Sequence, residues 1–296
     1  MGNTPLPAAA DRRQWLWIAG TLFSLLAFAA NSIFCRLALR SGAIDPQSFT
    51  AIRLLGGSLF LLMLLNLGKR TPLGGSWRGA MSLFVYAYLF SLAYIHLDAG
   101  VGALILFGAV QISMFGLGWK SGEKLRARVA LGMFIAFCGL LVLLAPGGMA
   151  PPLSSALAMV VAGIAWGVYS ILGRGAGGNP LGNTAGNFLR SLPLVGVAVA
   201  LGLVQGGISI SVPGVVYALA SGVLASGAGY AVWYSVVGRM SAQTAATLQL
   251  SVPVLAALVG VLLLDEPLSL RLVLASLIVL GGIALALTAR RVPPGR

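Results

Sequence analysis

Long apolar runs separated by short polar breaks dominate the pattern of hydrophobic and polar positions along this chain. A helix needs about 20 apolar residues to cross a hydrocarbon core of roughly 30 Å, and the breaks divide the sequence into ten runs of about that length. The predicted spans are approximately 15–38, 48–67, 80–96, 99–119, 128–146, 153–173, 184–204, 213–237, 242–264 and 268–288. The pattern therefore predicts an all-α integral membrane protein of ten transmembrane helices.

Composition supports a membrane protein and excludes the soluble classes. Hydrophobic residues make up 58% of the 296 residues and charged residues 8%, whereas about a quarter of the residues of a soluble domain are charged. The net charge of +13 would suggest a nucleic-acid partner in a soluble protein, but basic loops in a membrane protein set its orientation. We therefore predict the lipid bilayer as a partner and no nucleic acid.

The placement of lysine and arginine predicts the orientation. With the N-terminus inside, only Arg36, Arg40 and Arg271 fall on the outer side, while the connections on the inner side carry most of the basic residues. Basic residues accumulate on the cytoplasmic side of membrane proteins. The expected location is the inner (plasma) membrane of the cell, with several spans and both termini in the cytoplasm.

A repeat relates the two halves of the chain at an offset of 143 residues. The stretch 123–128 and the apolar run after it align with 266–271 and the run that follows. The most informative identities are Glu123/Glu266, Arg128/Arg271 and Gly139/Gly282. We predict a five-helix repeat over 1–146, a linker at 147–152 and a second repeat over 153–296. Because five is odd, the second repeat is inverted, as in secondary transporters.

The two repeats carry further motifs, which are the Trp166-Gly167 pair and a Gly-Glu-x-Leu turn at 122–125 that is echoed as Asp-Glu-Pro-Leu at 265–268. In these motifs, and in its ten predicted spans arranged as two inverted halves, the chain resembles the drug/metabolite transporter superfamily. It resembles the EamA-type exporters of that superfamily most closely. The resemblance implies proton-driven or facilitated export of metabolites, with aromatic amino acids as substrates of one branch. Nothing in composition or spacing identifies the substrate.

Acidic residues are absent from the predicted membrane interior. All six lie at span ends or in connections, at Asp11, Asp45, Asp98, Glu123, Asp265 and Glu266. A carboxylate at the membrane midplane is the usual way to bind a cation or to relay a proton. We therefore predict a neutral or zwitterionic substrate, and a protein that is not a cation/proton antiporter built on a membrane glutamate.

Polar and aromatic residues near mid-span are the candidates for substrate binding, because their polar atoms need partners inside the bundle. They are Asn31 with its neighbour Ser32, Tyr86, Phe90, Gln111, Trp166, Tyr169, Asn187, Tyr230, Trp233 and Gln249. Each has a structural alternative. The amides can link helices, the central aromatics can pack as core, and Trp233 can belong to the interfacial aromatic belt.

Five residues are candidates for gating or structural roles: Arg53, Glu123, Arg190, Pro253 and Glu266. The two arginines lie early in their spans and are expected to reach the interface by snorkelling, with gating or carboxylate binding as the alternative. The two glutamates either latch one closed face or begin the next helix, where a carboxylate is favourable. The proline frees a carbonyl one turn earlier and is expected to kink its helix.

The leading functional prediction is a secondary transporter that exports small amphipathic metabolites, neutral or aromatic amino acids above all. It would work as a monomer, by alternating access through a central apolar cavity. A multidrug or nucleoside/sugar-type transporter of the same fold is an alternative, and a non-catalytic scaffold or scramblase is another. An enzyme is disfavoured because the sequence has one histidine, no metal-ligand cluster and no Gly-x-Ser-x-Gly. No cofactor is predicted.

Overall fold

The computed structural model describes residues 7–67, 71–120, 127–145, 150–204, 207–237 and 248–288. The helices are α1 Pro7–Arg40, α2 Pro46–Leu67, α3 Trp77–Ala93, α4 Ala99–Lys120, α5 Ala127–Leu144, α6 Leu153–Gly175, α7 Pro180–Val204, α8 Val212–Val237, α9 Ser251–Leu264 and α10 Leu270–Thr288. The described residues form no strand, and a single antiparallel bridge joins Ile44 to Ile210. The predicted all-α fold is confirmed.

Eight of these described helices are long and apolar enough to cross a membrane, as judged by length and composition. Of the other two, α3 has 17 residues and α9 is a shorter apolar helix of 14. Across the bundle, the helices expose leucine, phenylalanine and valine side chains on their outward sides, as a lipid-facing surface does. The length, composition and apolar surface of the helices are those of a multi-pass membrane protein.

Helix α3 begins and ends at residues other than those that the apolar pattern predicts. α3 begins at Trp77 because the Ser76 hydroxyl accepts the Gly79 N–H at 3.0 Å, as an N-cap does. The helix ends at Ala93, whereas the apolar run continues to His96 through a turn. The helix therefore lies three residues earlier than the predicted span 80–96.

The helix α8 contains an irregular segment at its centre. Residues Ala220–Ala228 are π-helical, between the α-helical segments Val212–Leu219 and Gly229–Val237. π-Helical segments are rare in proteins overall, and those that occur often lie at functional sites. Hydrophobic periodicity alone does not predict this one.

Pro253 lies in the first turn of α9, where a proline causes little disruption. Leu250 forms a turn between a short helical stretch at 248–249 and the start of α9. The helix is therefore interrupted three residues before the proline. Whether this point works as a hinge stays a prediction.

The helices of one half pack mainly against those of the other. α1 packs on α8 and α9, and α6 packs on α3 and α4. The pairs α2 with α7, α4 with α9 and α5 with α10 also join the halves. The core of the bundle therefore lies between the halves, where buried aromatic side chains are concentrated.

Candidate functional site

A cavity lies at the centre of the bundle, where helices of both halves meet. Its lining comes from α1, α3, α4, α6, α8 and the short helical stretch before α9, and consists of Phe28, Asn31, Ser32, Tyr86, Phe90, Leu106, Phe107, Trp166, Ala225, Tyr230 and Gln249. The free volume is about 20 Å³, room for about one water molecule. The structure therefore shows a closed site between the halves.

Aromatic rings close this cavity. The ring centroid of Trp166 lies 4.7 Å from that of Tyr86 and 5.1 Å from that of Tyr230. Phe28 meets Tyr230 edge-on at 5.9 Å, and Phe90 lies 5.4 Å from Tyr86. These are ordinary distances for attractive aromatic pairs. The cavity can widen only if these rings separate.

A chain of hydrogen bonds backs one wall of the cavity. The Ser221 hydroxyl donates to Asn31 Oδ1 at 2.6 Å, and Asn31 Nδ2 donates to the Tyr86 hydroxyl oxygen at 3.1 Å. Arg53 Nη2 donates to the same oxygen at 3.1 Å, and its Nε donates to Ser226 Oγ at 3.2 Å. Both serines belong to the π-helical segment of α8. That segment thus supports the polar wall of the cavity.

Arg53 is buried against this wall and does not snorkel, so the expected route to the interface is wrong. The residue is 1% exposed, and its Cζ lies 5.2 Å from the ring centroids of both Tyr86 and Phe90. The reason is a close approach of α2 and α8, since a Cβ on Gly222 would overlap the carbonyl oxygen of Arg53. Helix α8 therefore covers the arginine, which a count along α2 cannot reveal.

The guanidinium of Arg53 has an unused donor. Its Nη1 has no hydrogen-bond partner, the only such buried side-chain nitrogen or oxygen in the described part of the chain. The ion pairs that the structure describes both belong to Arg36, so no described carboxylate neutralises Arg53. Behind the cavity wall there is therefore a buried positive charge that no carboxylate of the described residues balances.

A second buried arginine is fully paired, in a group that we call the Arg36 cluster (Arg36, Asp98 and Glu266). Arg36 Nη2 lies 2.9 Å from Asp98 Oδ1, and its Nε lies 3.1 Å from Glu266 Oε1. Its Nη1 donates to the carbonyls of Tyr94 and Ile95 at 3.2 and 3.0 Å. The cluster joins the end of α1 to the α3–α4 and α9–α10 connections.

Glu266 caps the start of a helix, but not of the helix that follows it in the chain. Its Oε2 accepts the N–H of Ala99, the first residue of α4, at 2.8 Å, while the hydroxyl of Ser269 caps α10 by accepting the Leu272 N–H. The expectation that Glu266 begins its own helix is therefore wrong, because it caps a helix of the other half. Burial raises the pKa of Glu266, the Asp98 charge adds to this, and the Ala99 amide and Arg36 oppose it.

The structure brings six of the ten predicted binding residues to the cavity, together with Ser32, the neighbour of Asn31: the six are Asn31, Tyr86, Phe90, Trp166, Tyr230 and Gln249. Tyr169 stacks on Trp166 at 5.3 Å, and Trp233 meets Phe28 edge-on at 5.6 Å, so both lie in the layer behind the lining. Gln111 is buried in α4 but is not among the lining residues. Two central aromatics thus support the site from behind.

Two predicted residues lie away from the cavity, at the connection before α3. Asn187 Oδ1 accepts the Ser76 N–H at 2.8 Å. Arg190 is partly buried and donates to the carbonyls of Gly74 and Gly186. Both side chains therefore hold this connection against α7. Glu123 lies outside the described residues.

Four lining residues were missed by the sequence reasoning: Phe28, Leu106, Phe107 and Ala225. Phe28 could have been found, since it lies three residues before Asn31 and hence on the same helix face. The other three are apolar residues within apolar runs, so nothing in the sequence distinguishes them from core. Among the described residues, no group of three or more His, Cys, Asp or Glu could hold a metal ion.

The sequence of this chain is similar to a known family and to proteins of other organisms. The EamA-like transporter family matches residues 153–288. The "Uncharacterized protein PA1977" of Pseudomonas aeruginosa is 54% identical over 282 residues, which are 95% of this chain and 96% of that protein. An "Uncharacterized transporter" of Archaeoglobus fulgidus is 26% identical over 290 residues, 94% of this chain and 100% of that protein.

The fold also has a counterpart among solved structures. A crystal structure of a protein with 22% sequence identity superposes with a TM-score of 0.64 and covers 92% of this chain and 99% of that one. At this identity the likeness concerns the fold alone. The sequence relatives extend over nearly the full length, and the family match covers the second half. The chain therefore belongs to the EamA-like transporter family of membrane proteins.

Proposed function

We propose that this protein is a secondary transporter that exports small amphipathic metabolites, foremost neutral and aromatic amino acids. The observation that carries the proposal is the closed central cavity, whose aromatic and amide lining is contributed by both halves of the chain. A site shared between halves is what alternating access requires, because each side opens as the halves move. Family membership supports transport of small molecules.

The proposed architecture is two inverted five-helix repeats, in which α1–α5 correspond to α6–α10. The α5–α10 crossing supports it. A Cβ on Gly139 would lie 2.9 Å from the Val279 nitrogen, and one on Gly282 would lie 2.6 Å from the Ala136 nitrogen. An offset of 143 converts the first contact into the second, as a two-fold axis would.

The packing of the other helices supports the same symmetry. Exchanging α1–α5 with α6–α10 converts the contact of α1 with α8 into that of α6 with α3, and the contact of α1 with α9 into that of α6 with α4. The pairs α2–α7 and α4–α9 map onto themselves. We infer that the axis lies in the membrane plane and runs near the cavity, with the protein working as a monomer in the inner membrane.

The proposed transport cycle opens the cavity to one side at a time. A volume of about 20 Å³ is far below the several hundred Å³ of small-molecule sites, so the rings around Trp166 must separate to admit substrate. With both termini in the cytoplasm, the Arg36 cluster lies on the outer side and seals it. Export would require this cluster to open once a substrate has entered from inside.

A multidrug transporter is the second candidate for the same fold, and an aromatic cavity suits amphipathic drugs in general. Many such drugs are cations, which a membrane carboxylate would stabilise. The described cavity lining contains no Asp or Glu, and the nearest buried charge behind it is the positive charge of Arg53. These observations favour the metabolite transporter.

The test of the proposal is transport by the purified full-length chain in liposomes. We expect exchange of radiolabelled phenylalanine, tyrosine or leucine that exceeds the exchange in empty vesicles, with and without a pH gradient. Trp166→Ala should slow this exchange at least about tenfold, because it removes the largest ring of the cavity wall. If no amino acid or drug crosses faster than in empty vesicles, the transporter proposal fails.

Gly196→Ala serves as the matched control for Trp166→Ala. Gly196 lies on the exposed side of α7, and no atom of another described helix lies within 4 Å of an added Cβ. This variant should transport like the wild type. Equal transport by Trp166→Ala and the control, in protein with wild-type melting temperature, would remove Trp166 from the proposed site.

A further inference from the structure

We propose that Arg53 and the Tyr86 hydroxyl form a recognition site for the carboxylate of the transported molecule. This inference rests on the proposed transport function and specifies its substrate class. The substrate would be a small molecule with one carboxylate beside an apolar or aromatic group. Free amino acids and aromatic monocarboxylates both belong to that class.

The first argument is the charge balance of the membrane interior. A guanidinium stays protonated in a protein, so burial cannot make Arg53 neutral. A buried charge without a partner is costly, and an ionisable group inside a membrane is a functional candidate by default. No carboxylate in the described part of the chain pairs with Arg53. A substrate carboxylate would supply the missing charge.

The second argument is the direction of the hydrogen bonds around Tyr86. Its hydroxyl oxygen accepts from Asn31 Nδ2 and from Arg53 Nη2, both at 3.1 Å. The oxygen therefore has two donors directed at it. The Tyr230 hydroxyl, which also lines the cavity, is a third hydrogen-bonding neighbour of the Tyr86 hydroxyl, and a bound acceptor would take its place. Since Tyr86 lines the cavity, this hydroxyl can donate to an acceptor bound there.

The third argument is the distance between the cavity and the charge. A carboxylate oxygen hydrogen-bonded to the Tyr86 hydroxyl at about 2.7 Å would lie within about 6 Å of Arg53 Nη2. At that separation in a low-dielectric interior the attraction is substantial. Arg53 Nη1, which has no partner, offers a second donor once the rings of Tyr86 and Phe90 move apart.

The rest of the lining suits the remainder of such a molecule. Trp166, Tyr230 and Phe28 present aromatic faces, which attract both apolar groups and an ammonium group. Leu106 and Phe107 extend the apolar surface. A cation that lacks a carboxylate would meet the same aromatic faces but would be repelled by Arg53. The site should therefore select for the carboxylate.

The experiment compares four ligands that share one phenyl group: phenylalanine, phenylalaninamide, 3-phenylpropionate and phenethylamine. Binding to the purified full-length chain is measured in detergent, and exchange is measured in liposomes. We expect the two carboxylates to bind at least about tenfold more tightly than the amide and the amine, as the loss of a charged hydrogen bond predicts. Amide and carboxylate binding of equal strength, or no binding by either carboxylate, would overturn the proposal.

Variants at the site locate the selectivity. Arg53→Met should weaken carboxylate binding about 10- to 100-fold and leave amine binding unchanged or stronger. Arg53→Lys keeps the charge and should restore part of the preference, which a purely structural role would not do. Arg190→Met is the control, because Arg190 lies away from the cavity, where it donates to the backbone carbonyls of Gly74 and Gly186. It should keep wild-type selectivity.

A second variant covers the case in which Arg53→Met does not fold. Tyr86→Phe keeps the ring and removes the hydroxyl, both as a donor to the substrate and as the acceptor of Asn31 and Arg53, so it should weaken carboxylate binding about 3- to 10-fold. A Tyr86→Phe protein with undiminished carboxylate preference would overturn the assignment.

The two proposals fail separately. Tight carboxylate binding without exchange refutes transport, and exchange without carboxylate preference refutes the recognition site.

Discussion

Arg36 and Arg53 are both buried arginines, the first near the end of α1 and the second behind the cavity wall, and their surroundings differ completely. Arg36 is 6% exposed and bonds two carboxylates and two carbonyls. Arg53 is 1% exposed, bonds two hydroxyl groups and leaves Nη1 without a partner. The first arrangement is complete within the protein. The second is incomplete, as expected of a group that awaits a ligand.

The comparison also separates stability from function. A buried ion pair is costly to break because the remaining charge loses its partner, whereas removing an unpaired buried charge relieves a cost. The Arg36 cluster should therefore stabilise this closed form, while Arg53 should be dispensable for folding and needed for binding. Four variants test this contrast, and each is measured by thermal unfolding in the same detergent.

Arg36→Met should have the largest effect. It leaves Glu266 buried with the Ala99 amide and without its cation, which costs about 3–5 kcal/mol when a buried pair is broken. We expect a clear fall in melting temperature at pH 7. The double variant Arg36→Met/Glu266→Gln should regain part of the loss, since it removes the stranded charge. A wild-type melting temperature for the single variant would show that the cluster is not structural.

Gly222→Ala should have the next largest effect. The added methyl would overlap the Arg53 carbonyl oxygen, so α2 and α8 must move apart, and overpacking of this kind costs about 1–3 kcal/mol. Gly196→Ala, whose methyl would meet no atom of another described helix within 4 Å, should unfold like the wild type. Equal melting temperatures for the two alanine variants would contradict the close approach that buries Arg53.

Arg53→Met should change stability least among the substitutions at this interface. Replacing an unpaired buried charge with an apolar side chain of similar length is expected to be neutral or stabilising, within about 1 kcal/mol. The measurement is the melting temperature beside that of Arg36→Met. A fall as large as that of Arg36→Met would mean that Arg53 holds the fold together and would end the contrast between the two arginines.

Glu266→Gln should have the smallest effect of the four variants, and this effect should appear in how stability depends on pH. Because burial raises the pKa of Glu266 above its ordinary value of 4.5, the folded protein binds this proton more tightly than the unfolded chain. The resulting stabilisation is complete below about pH 4.5 and is lost as the pH rises through the raised pKa. As the pH rises through this window, the wild type should therefore lose stability relative to Glu266→Gln. Parallel pH profiles would contradict the raised pKa.

Much of the fold could be predicted from the sequence because the bilayer dictates the length of apolar helices. The predicted span 48–67 lies within α2, Pro46–Leu67, and the span 99–119 lies within α4, Ala99–Lys120. The error at α3 arises where hydrogen bonding and hydrophobicity diverge, since the apolar run continues past the last helical residue Ala93. Polarity within a span also identified much of the cavity lining, because Asn31 and Tyr86 need partners inside the bundle.

The sequence could not reveal contacts that depend on which helices are neighbours. Arg36 pairs with Asp98 and Glu266, which lie 62 and 230 positions away, so no local pattern connects them. The burial of Arg53 follows from the position of α8 over α2, which depth along a single helix does not report. The apolar lining residues Leu106 and Phe107 carry no polar signal at all.

The π-helical segment of α8 has a consequence for the orientation of its two serines. In an α-helix, side chains five residues apart are rotated by about 140°, so Ser221 and Ser226 would face different neighbours. In a π-helix, residue i bonds residue i+5, which brings the two serines to one side, where one bonds Asn31 and the other Arg53. A return of this segment to α-helical winding would turn one serine away. The winding of α8 and the hydrogen bonds behind the cavity are therefore coupled, and neither can change without the other.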